Sequence, residues 1–411
     1  MRIGVASLIE LGPLARHLDD WDGLSGEWSF PYITTLVEGL LARGHEIHVF
    51  ALNGQISAPR QYSGQSLTVD VLAMRTSGAS RVADIYSMER HALTEAMKVS
   101  QCEVIHAHWT YEFGAAAVSS GIPNVVTAHH SPWAAVADAR LFKPQLHGID
   151  KYSDSLKNLS REFVRASLSE WVVNRADVVT AVSPNVQSHL KRLMFPRSPV
   201  ELIPNGLQSE VDQYRASIRD PEAPVFAFIG NGFGARKNSA TALKAFARVR
   251  QEIPGAKLLL IGVEHESGGI GHLWAQGENL ATNCLWLGPI SNGEVRALMQ
   301  NEIDILVHTS RWEACSIAIM EAQSFGIPVI GGKNSGGVSY SLQDGRAGLI
   351  ADITKPEVVS NAMIQLAAQH SEYARISSGG LEAINSVFNI NLILDAYESA
   401  YLRARDKGER D

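Results

Sequence analysis

Two glutamates stand eight positions apart in an otherwise apolar stretch of the second half of the chain. The stretch reads RWEACSIAIMEA from Arg311 to Ala322, and its carboxylates are Glu313 and Glu321. A buried helix normally keeps charged side chains off its apolar stripe, so both carboxylates should have partners. The pattern predicts a helix with Glu313 in its first turn and Glu321 about two turns further on, roughly 12 Å along the axis.

The opening of this predicted helix suits an anionic ligand, because free N–H groups and the positive end of the helix dipole lie there. Cys315, Ser316 and Ile317 would supply these backbone donors. The glutamates could then accept hydrogen bonds from hydroxyl groups at two ends of one ligand. A capping glutamate followed by a solvent-facing one is the alternative. The same field favours a thiolate at Cys315 and predicts a reactive thiol, unless the side chain packs inward as a small hydrophobe.

The composition limits the class of protein. The chain has 411 residues, a net charge of −7, and 45% hydrophobic and 19% charged residues. This length exceeds one ordinary core and predicts two domains. Neither half is basic, which argues against a nucleic-acid partner. Three scattered cysteines argue against a disulfide framework and favour a reducing cytoplasm, and no apolar run reaches the roughly 18 residues that a membrane span needs.

Strand-like and helix-like segments alternate along the chain and must position these residues. Continuous apolar strands between amphipathic helices indicate parallel sheets covered on both faces, so we expect an α/β protein with two doubly wound, Rossmann-like domains facing across a cleft. The alternation of strands and helices predicts a first domain over residues 1–207, a linker over 208–224 and a second domain over 225–389. We expect the last helix, 390–405, to pack back on the first domain. Ligands of such domains bind at the carboxyl ends of the strands.

The segment HTSRWEACSIAIMEAQSFGIPVIGGKNSGG is similar to the signature of retaining glycosyltransferases of family four, which have the GT-B fold. That signature places two glutamates with seven residues between them, followed by a small-residue turn and an apolar strand. Further segments fall in the family's order, namely LLARGHEIHVF, VIHAHW, VVTAHH, ADVVTAVS, LIPNG and ARKN. Two glutamates at this spacing would be weak evidence on their own, but the ordered set of segments resembles the family over nearly the whole chain.

The resemblance implies a hexosyltransferase that moves a sugar from a nucleoside-diphosphate sugar to an acceptor hydroxyl with retention of configuration. It implies no metal and no cofactor, and we favour a UDP-sugar over a GDP- or ADP-sugar as the donor. The acceptor would be a sugar, a glycolipid or a small molecule, with peripheral membrane contact possible in principle. The implied catalytic residues are His129, Lys237 and Glu313. The implied donor-binding residues are Gly26, Asn231, Arg236, Lys237, Val263, Ile290, Glu313, Cys315, Ser316, Ile317 and Glu321.

Three positions depart from the family's pattern. Asn231 stands where an arginine is common, His130 where an acidic residue is usual, and Ser25 replaces one glycine of the loop after the first strand. The departures at Asn231 and His130 leave open a catalytically weak or inactive nucleotide-binding subunit, and the one at Ser25 could alter how the donor phosphate and the acceptor meet. A sugar epimerase of the same fold is a further alternative.

Other motifs give competing interpretations. Gly230, Gly232 and Ala235 follow a strand in a spacing typical of a dinucleotide-binding loop, but the first acidic residue after the next strand, Glu264, lies 34 positions on rather than about 20. Asp20 and Asp22 match an Asp-x-Asp metal motif, although a solvated acidic loop explains them better. His106 and His108 are interpreted as structural. The long connection between Pro132 and Ser160 could contact the acceptor. It could also rest on an anionic membrane surface, which its mixed charges disfavour.

Overall fold

The structure is a computed structural model that describes residues 1–24, 30–134, 136 and 151–408, with side chains from residue 159 onward in the helix that begins at Lys151. The chain divides into two compact units. The first unit takes the described residues up to Gly206 and those from Ile390 onward, and the second unit takes Leu207–Asn389. Among the described residues, no helix combines the length and apolar character needed to cross a membrane.

The first unit is built on an eight-stranded sheet with the order β3-β4-β2-β1-β5-β6-β7-β8. Its strands are β1 (Arg2–Ala6), β2 (Glu46–Asn53), β3 (Arg60–Ser63), β4 (Leu67–Ala73), β5 (Val104–His108), β6 (Asn124–Ala128), β7 (Val178–Ala181) and β8 (Val200–Leu202). All neighbours pair in parallel except β3 with β4. Every residue of β5, β6 and β7 is buried, as expected for a sheet covered on both faces.

The helices of the first unit connect these strands and cover them. They are α1 (Pro31–Ala42), α2 (Gly78–Ala83), α3 (Ser87–Val99), α4 (Glu112–Ser120), α5 (Lys151–Val173), α6 (Pro184–Leu193) and the last helix of the chain, Ile390–Gly408. A short 3-10 helix spans Gly12–His17. The last helix packs on this unit, where the Tyr401 hydroxyl lies 2.8 Å from His106 Nδ1 and Arg43 forms an ion pair with Glu398 at 2.7 Å.

The second unit has a six-stranded parallel sheet with the order β11-β10-β9-β12-β13-β14. Its strands are β9 (Val225–Ile229), β10 (Lys257–Ile261), β11 (Cys284–Gly288), β12 (Ile305–His308), β13 (Val329–Gly332) and β14 (Leu349–Ala351). Its helices are α7 (Ser239–Glu252), α8 (Ile270–Gly277), α9 (Asn292–Asn301), α10 (Ile317–Ser324), α11 (Val338–Ser341), α12 (Pro356–Ala368) and α13 (His370–Ser386), with a 3-10 turn at Gln343–Gly345; the last helix of the chain is therefore α14. Apolar clusters lie on both faces of this sheet.

Two predictions from the sequence need correction. Residues 208–224, predicted as a linker, are bonded to the second unit: Arg215 donates to the carbonyls of Met299 and Ile303, and Arg219 pairs with Asp304 at 2.9 Å. Part of the predicted connection over 132–160 is helical, because α5 already begins at Lys151. Ala135 and residues 137–150 of that connection lie outside the described residues.

Candidate functional site

Glu313 lies in the loop before α10 and not in the helix, so its predicted place in a first helical turn is wrong. The helix begins only at Ile317. A neighbouring loop holds the glutamate by its backbone: Glu313 N donates to the Ser335 carbonyl at 3.2 Å, and Gly337 N donates to the Glu313 carbonyl at 2.7 Å. Gly336 has a φ of 67°, and a Cβ there would come within 2.4 Å of the Glu313 carbonyl oxygen, so the loop requires glycine.

The Glu313 carboxylate is surrounded by positive and polar groups. Lys237 Nζ lies 2.6 Å from Oε1, while Arg236 Nη1 and His308 Nε2 each lie 3.9 Å from the same oxygen. Burial would raise the pKa of Glu313, but the charges of Lys237, His308 and Arg236 lower it to about 2. The carboxylate is therefore ionised and held in place throughout the physiological range. The side chain of Lys237 is only 18% exposed, whereas that of Arg236 is 51% exposed.

Glu321 has very different surroundings, although it lies eight positions away. It is buried in α10 at 6% exposure, and Asn292 Nδ2 donates to its Oε1 at 2.8 Å. Burial raises the pKa of Glu321, because a hydrogen bond from Asn292 and the charge of Arg296 offset the desolvation only in part. Arg296 itself forms an ion pair with Glu210 at 2.6 Å.

The start of α10 has no side-chain cap. Ser316 is the N-cap residue, but its side chain accepts no hydrogen bond from the first turn. The first N–H groups of a helix have no partner within the helix, so Ile317 and the residues after it present them at this end. Cys315 is buried at 8% exposure, and its Sγ lies 3.6 Å from Met320 Sδ. The thiol is packed inward, as in the second of the two interpretations of its sequence position.

The glycine-rich loop after β9 is tied to the loop after β10. Asn231 Oδ1 accepts from Val263 N at 3.0 Å, and Gly232 N donates to the Val263 carbonyl at the same distance. The Glu264 carboxylate accepts from Phe233 N at 2.6 Å. A carboxylate therefore occupies a loop N–H that a dinucleotide-binding loop would offer to a pyrophosphate, which argues against the oxidoreductase interpretation.

Two apolar side chains lie beyond the carboxyl ends of neighbouring strands in this unit. Val263 follows β10 and is 48% exposed. Ile290 follows β11 and is partly buried against the apolar cluster of that face. An exposed apolar side chain at this edge of the sheet suits the flat face of a ligand better than it suits water.

In the first unit, His129 follows β6 and belongs to a buried group of histidines. His129 Nε2 lies 2.9 Å from His108 Nδ1, and burial together with the charge of His130 lowers the pKa of His129 to about 3. His106 is bonded through both ring nitrogens, to Tyr401 and Thr127, each at 2.8 Å. His129 is therefore a neutral imidazole, and His108 is the group that orients it. The predicted Gly26, with Ser25, lies outside the described residues.

Sequence reasoning missed three residues that contact the predicted ones. His308 contacts Glu313 and Ser316, Asn292 contacts Glu321, and His108 contacts His129. His308 and His108 each end a buried apolar strand, where polar residues of parallel sheets gather, and this position was the available signal. Asn292 follows Ser291 in a capping box, which marks a helix start but not its contact with Glu321. No group of three or more His, Cys, Asp or Glu side chains within the described residues could hold a metal ion.

Comparisons with known proteins identify the family of this chain. The family model described as glycosyl transferases group 1 matches residues 211–382, and that described as glycosyltransferase family 4 matches residues 31–211. The N-acetyl-alpha-D-glucosaminyl L-malate synthase of Bacillus anthracis is 23% identical over 90% of this chain and 92% of its own length. A GDP-mannose-dependent alpha-(1-6)-phosphatidylinositol monomannoside mannosyltransferase of Mycobacterium tuberculosis is 24% identical over 54% of this chain and 61% of its own.

A solved structure shares the fold over the full length. Sucrose-phosphate synthase from Thermosynechococcus elongatus matches 98% of each chain with a TM-score of 0.73 and 18% identity. The two family models together leave only the first 30 and last 29 residues unmatched. The chain is a member of glycosyltransferase family four and has the GT-B fold.

Proposed function

We propose that this glycosyltransferase moves a hexose from a nucleoside-diphosphate sugar to an acceptor hydroxyl, with retention of configuration and without a metal. The observation that carries the proposal is the cluster of Glu313, Lys237 and Arg236 beside the uncapped start of α10. Fixed cations and backbone N–H groups in one place are what a departing diphosphate needs. The donor we favour is a UDP-sugar, and the reaction would take place in the cytoplasm.

In this proposal the cations serve the leaving group. Lys237 and the more exposed Arg236 would stabilise the negative charge that develops on the diphosphate, and the backbone N–H groups of Cys315, Ser316 and Ile317 would bind its oxygens. Because Lys237 also bonds Glu313 at 2.6 Å, the carboxylate is oriented before any ligand arrives. Glu313 would then accept hydrogen bonds from the hydroxyls of the donor sugar.

The nucleoside would bind further along the same edge of the second unit. Asn292 engages Oε1 of Glu321, which leaves Oε2 for a ligand. A buried carboxylate without its own cation suits a neutral diol, and we assign it to the ribose hydroxyls. Val263 and Ile290 would contact the base. Asn231 would act indirectly, because its amide oxygen holds Val263 N.

His129 is the proposed contribution of the first unit. A neutral imidazole accepts a hydrogen bond at one nitrogen and donates one at the other, and the bond to His108 occupies Nε2. His129 would therefore use Nδ1 towards the donor sugar and its phosphate. The acceptor would be a sugar, a glycolipid or a small molecule.

A thermal-shift screen tests donor binding. The protein is heated with UDP, GDP, ADP or NAD, and a ligand at 100 times its dissociation constant adds about 2.7 kcal/mol to the free energy of unfolding. We expect a nucleoside diphosphate to raise the melting temperature and NAD to leave it unchanged. A shift with NAD alone, or with none of the four, would contradict the proposal.

Incubation with a panel of nucleotide sugars then tests the reaction. We expect one sugar to release its nucleoside diphosphate with EDTA present, and NMR of the transferred sugar to show the anomeric configuration of the donor. Loss of the reaction in EDTA would contradict metal independence, and an inverted product would contradict retention. Binding without release would favour the inactive subunit, which is supported by Asn231 in place of an arginine and His130 in place of an acidic residue.

A further inference from the structure

Four serines are N-cap residues of helices in the described part of the chain, and one of them behaves differently. Ser77, Ser183 and Ser291 each accept a hydrogen bond from the N–H three residues further on, as serine N-caps normally do. Ser316 is the N-cap residue of α10, with an extended backbone (φ −76°, ψ 115°), yet its side chain makes no such bond. Its Oγ lies 3.1 Å from His308 Nε2 instead.

His308 is placed to hold the Ser316 hydroxyl in one orientation. It is the last residue of β12, is 3% exposed, and its Nδ1 is buried without a hydrogen-bond partner. Burial lowers the pKa of His308 to about 4, against the opposing effect of Glu313, so the imidazole is neutral and carries one proton. Since buried N–H groups without acceptors are rare, the proton belongs on Nε2 and is donated to Ser316 Oγ.

This orientation has two consequences at the helix start. The Ser316 oxygen is turned away from the N–H of Ile319, its normal capping target, so that N–H has no side-chain cap. The Ser316 hydroxyl proton is also released to point at another acceptor, because its own oxygen receives the bond from His308.

We propose that His308 is a positioning residue that keeps Ser316 from capping α10, so that the Ser316 hydroxyl joins the N–H groups of Cys315, Ser316 and Ile317 in binding the diphosphate of the donor. The inference rests on the proposed function, since it requires a nucleoside-diphosphate ligand. Without the histidine, Ser316 is free to rotate and cap the Ile319 N–H, which turns its hydroxyl away from the diphosphate.

Calorimetry with a nucleoside diphosphate and its parent nucleoside tests the proposal. With UDP and uridine as the pair, His308→Ala should weaken UDP binding about five- to tenfold, which reflects the typical strength of a serine cap, and leave uridine binding unchanged. His308→Gln retains an amide N–H for Ser316 and should restore most of the UDP affinity. Equal losses for UDP and uridine would overturn the proposal, because a merely structural role affects both ligands.

A double-mutant cycle separates the effect on Ser316 from other effects of His308, including its proximity to Glu313. In a Ser316→Ala background no hydroxyl is left for His308 to orient, so adding His308→Ala should have little further effect on UDP affinity. A full fivefold loss in that background would overturn the proposal. Failure of the wild-type protein to bind UDP, GDP or ADP would instead refute the proposed function, and this inference with it.

Hydrogen exchange gives a readout without any ligand. In His308→Ala the amide of Ile319 should exchange more slowly than in the wild-type protein, because Ser316 then caps it. The amide of Glu294, already capped by Ser291, is the internal control and should not change. Unchanged exchange at Ile319 would contradict the proposal that His308 keeps Ser316 from capping this N–H.

Discussion

The loop around Glu313 and the middle of α10 around Glu321 give a carboxyl group opposite electrostatic environments. Around Glu313 the protein places Lys237, Arg236 and His308, and the pKa of the carboxyl falls to about 2. Around Glu321 it places one amide in a buried position, and the pKa rises. The first environment favours charge and the second disfavours it. This difference is what a ligand with a charged diphosphate and a neutral ribose would require.

The largest expected effect comes from removing the cation beside Glu313. Lys237→Met should lower turnover about 100-fold or more, because the leaving diphosphate loses its fixed cation. An exposed lysine would add little to folding, but the side chain of Lys237 is only 18% exposed and that of its partner Glu313 14%. The variant should therefore also lose about 3 kcal/mol of unfolding free energy.

The double variant Lys237→Met with Glu313→Gln separates these effects. It removes both charges, so chemical denaturation should show most of the lost stability restored while turnover stays low. Lys355→Met, at an exposed lysine paired with Asp352 in the same unit, is the matched control and should change stability by less than about 0.5 kcal/mol. Recovery of turnover in the double variant would assign Lys237 a purely structural role.

The pH dependence of stability should have opposite signs at the two glutamates. Glu313 titrates at about 2 in the folded protein against an ordinary value of 4.5, so its stabilising contribution is present above pH 4.5 and is lost as the pH falls towards 2. The pKa of Glu321 is raised, so its contribution is present below pH 4.5 and is lost as the pH rises through the folded value.

At pH 7 we therefore expect Glu313→Gln to lower the unfolding free energy and Glu321→Gln to raise it. Urea denaturation of both variants and the wild-type protein from pH 3 to pH 7 measures the two slopes. The same sign for both variants at pH 7 would remove the electrostatic contrast on which the assignment depends.

The smallest effect is expected at Cys315. Its sequence position predicts a reactive thiol, but the side chain is 8% exposed against Met320. Iodoacetamide should leave Cys315 unmodified in the folded protein, and Cys315→Ala should keep activity within about threefold of wild type. Mass spectrometry after labelling, with and without nucleotide, checks this. Rapid labelling that nucleotide prevents would restore the original interpretation.

Much of the fold could be predicted from the sequence, because buried parallel strands are continuous apolar runs and α3 and α7 show clear helical periodicity. Strand β4 (LTVDVLA) is harder to predict, since its charged Asp70 interrupts the apolar run; the structure pairs Asp70 with His48 at 2.9 Å. The start of α10 was placed too early. The loop conformation at Glu313 depends on its contact with Gly336, and local periodicity carries no information about that contact.

The residues that contact the predicted site residues were harder to predict than the site residues themselves. Glu313 and Glu321 have a recognisable spacing, whereas Asn292 reaches Glu321 from 29 positions away, and only the strand order of the second sheet places them together. His308 is closer in sequence, yet its contact with Ser316 replaces a cap that the residue types alone would favour. Distances between side chains on different elements follow from topology, which the sequence pattern expresses only coarsely.

The most direct test of the account is whether Glu321 recognises the ribose diol. Calorimetry compares the nucleoside diphosphate selected by the thermal-shift screen with its 2′,3′-dideoxy analogue, in the wild-type protein and in Glu321→Ala. We expect the variant to lose roughly 1.5–3 kcal/mol of binding free energy for the nucleotide and almost none for the dideoxy analogue. Equal losses for both ligands, or unchanged affinity for the nucleotide in a folded variant, would contradict the assignment.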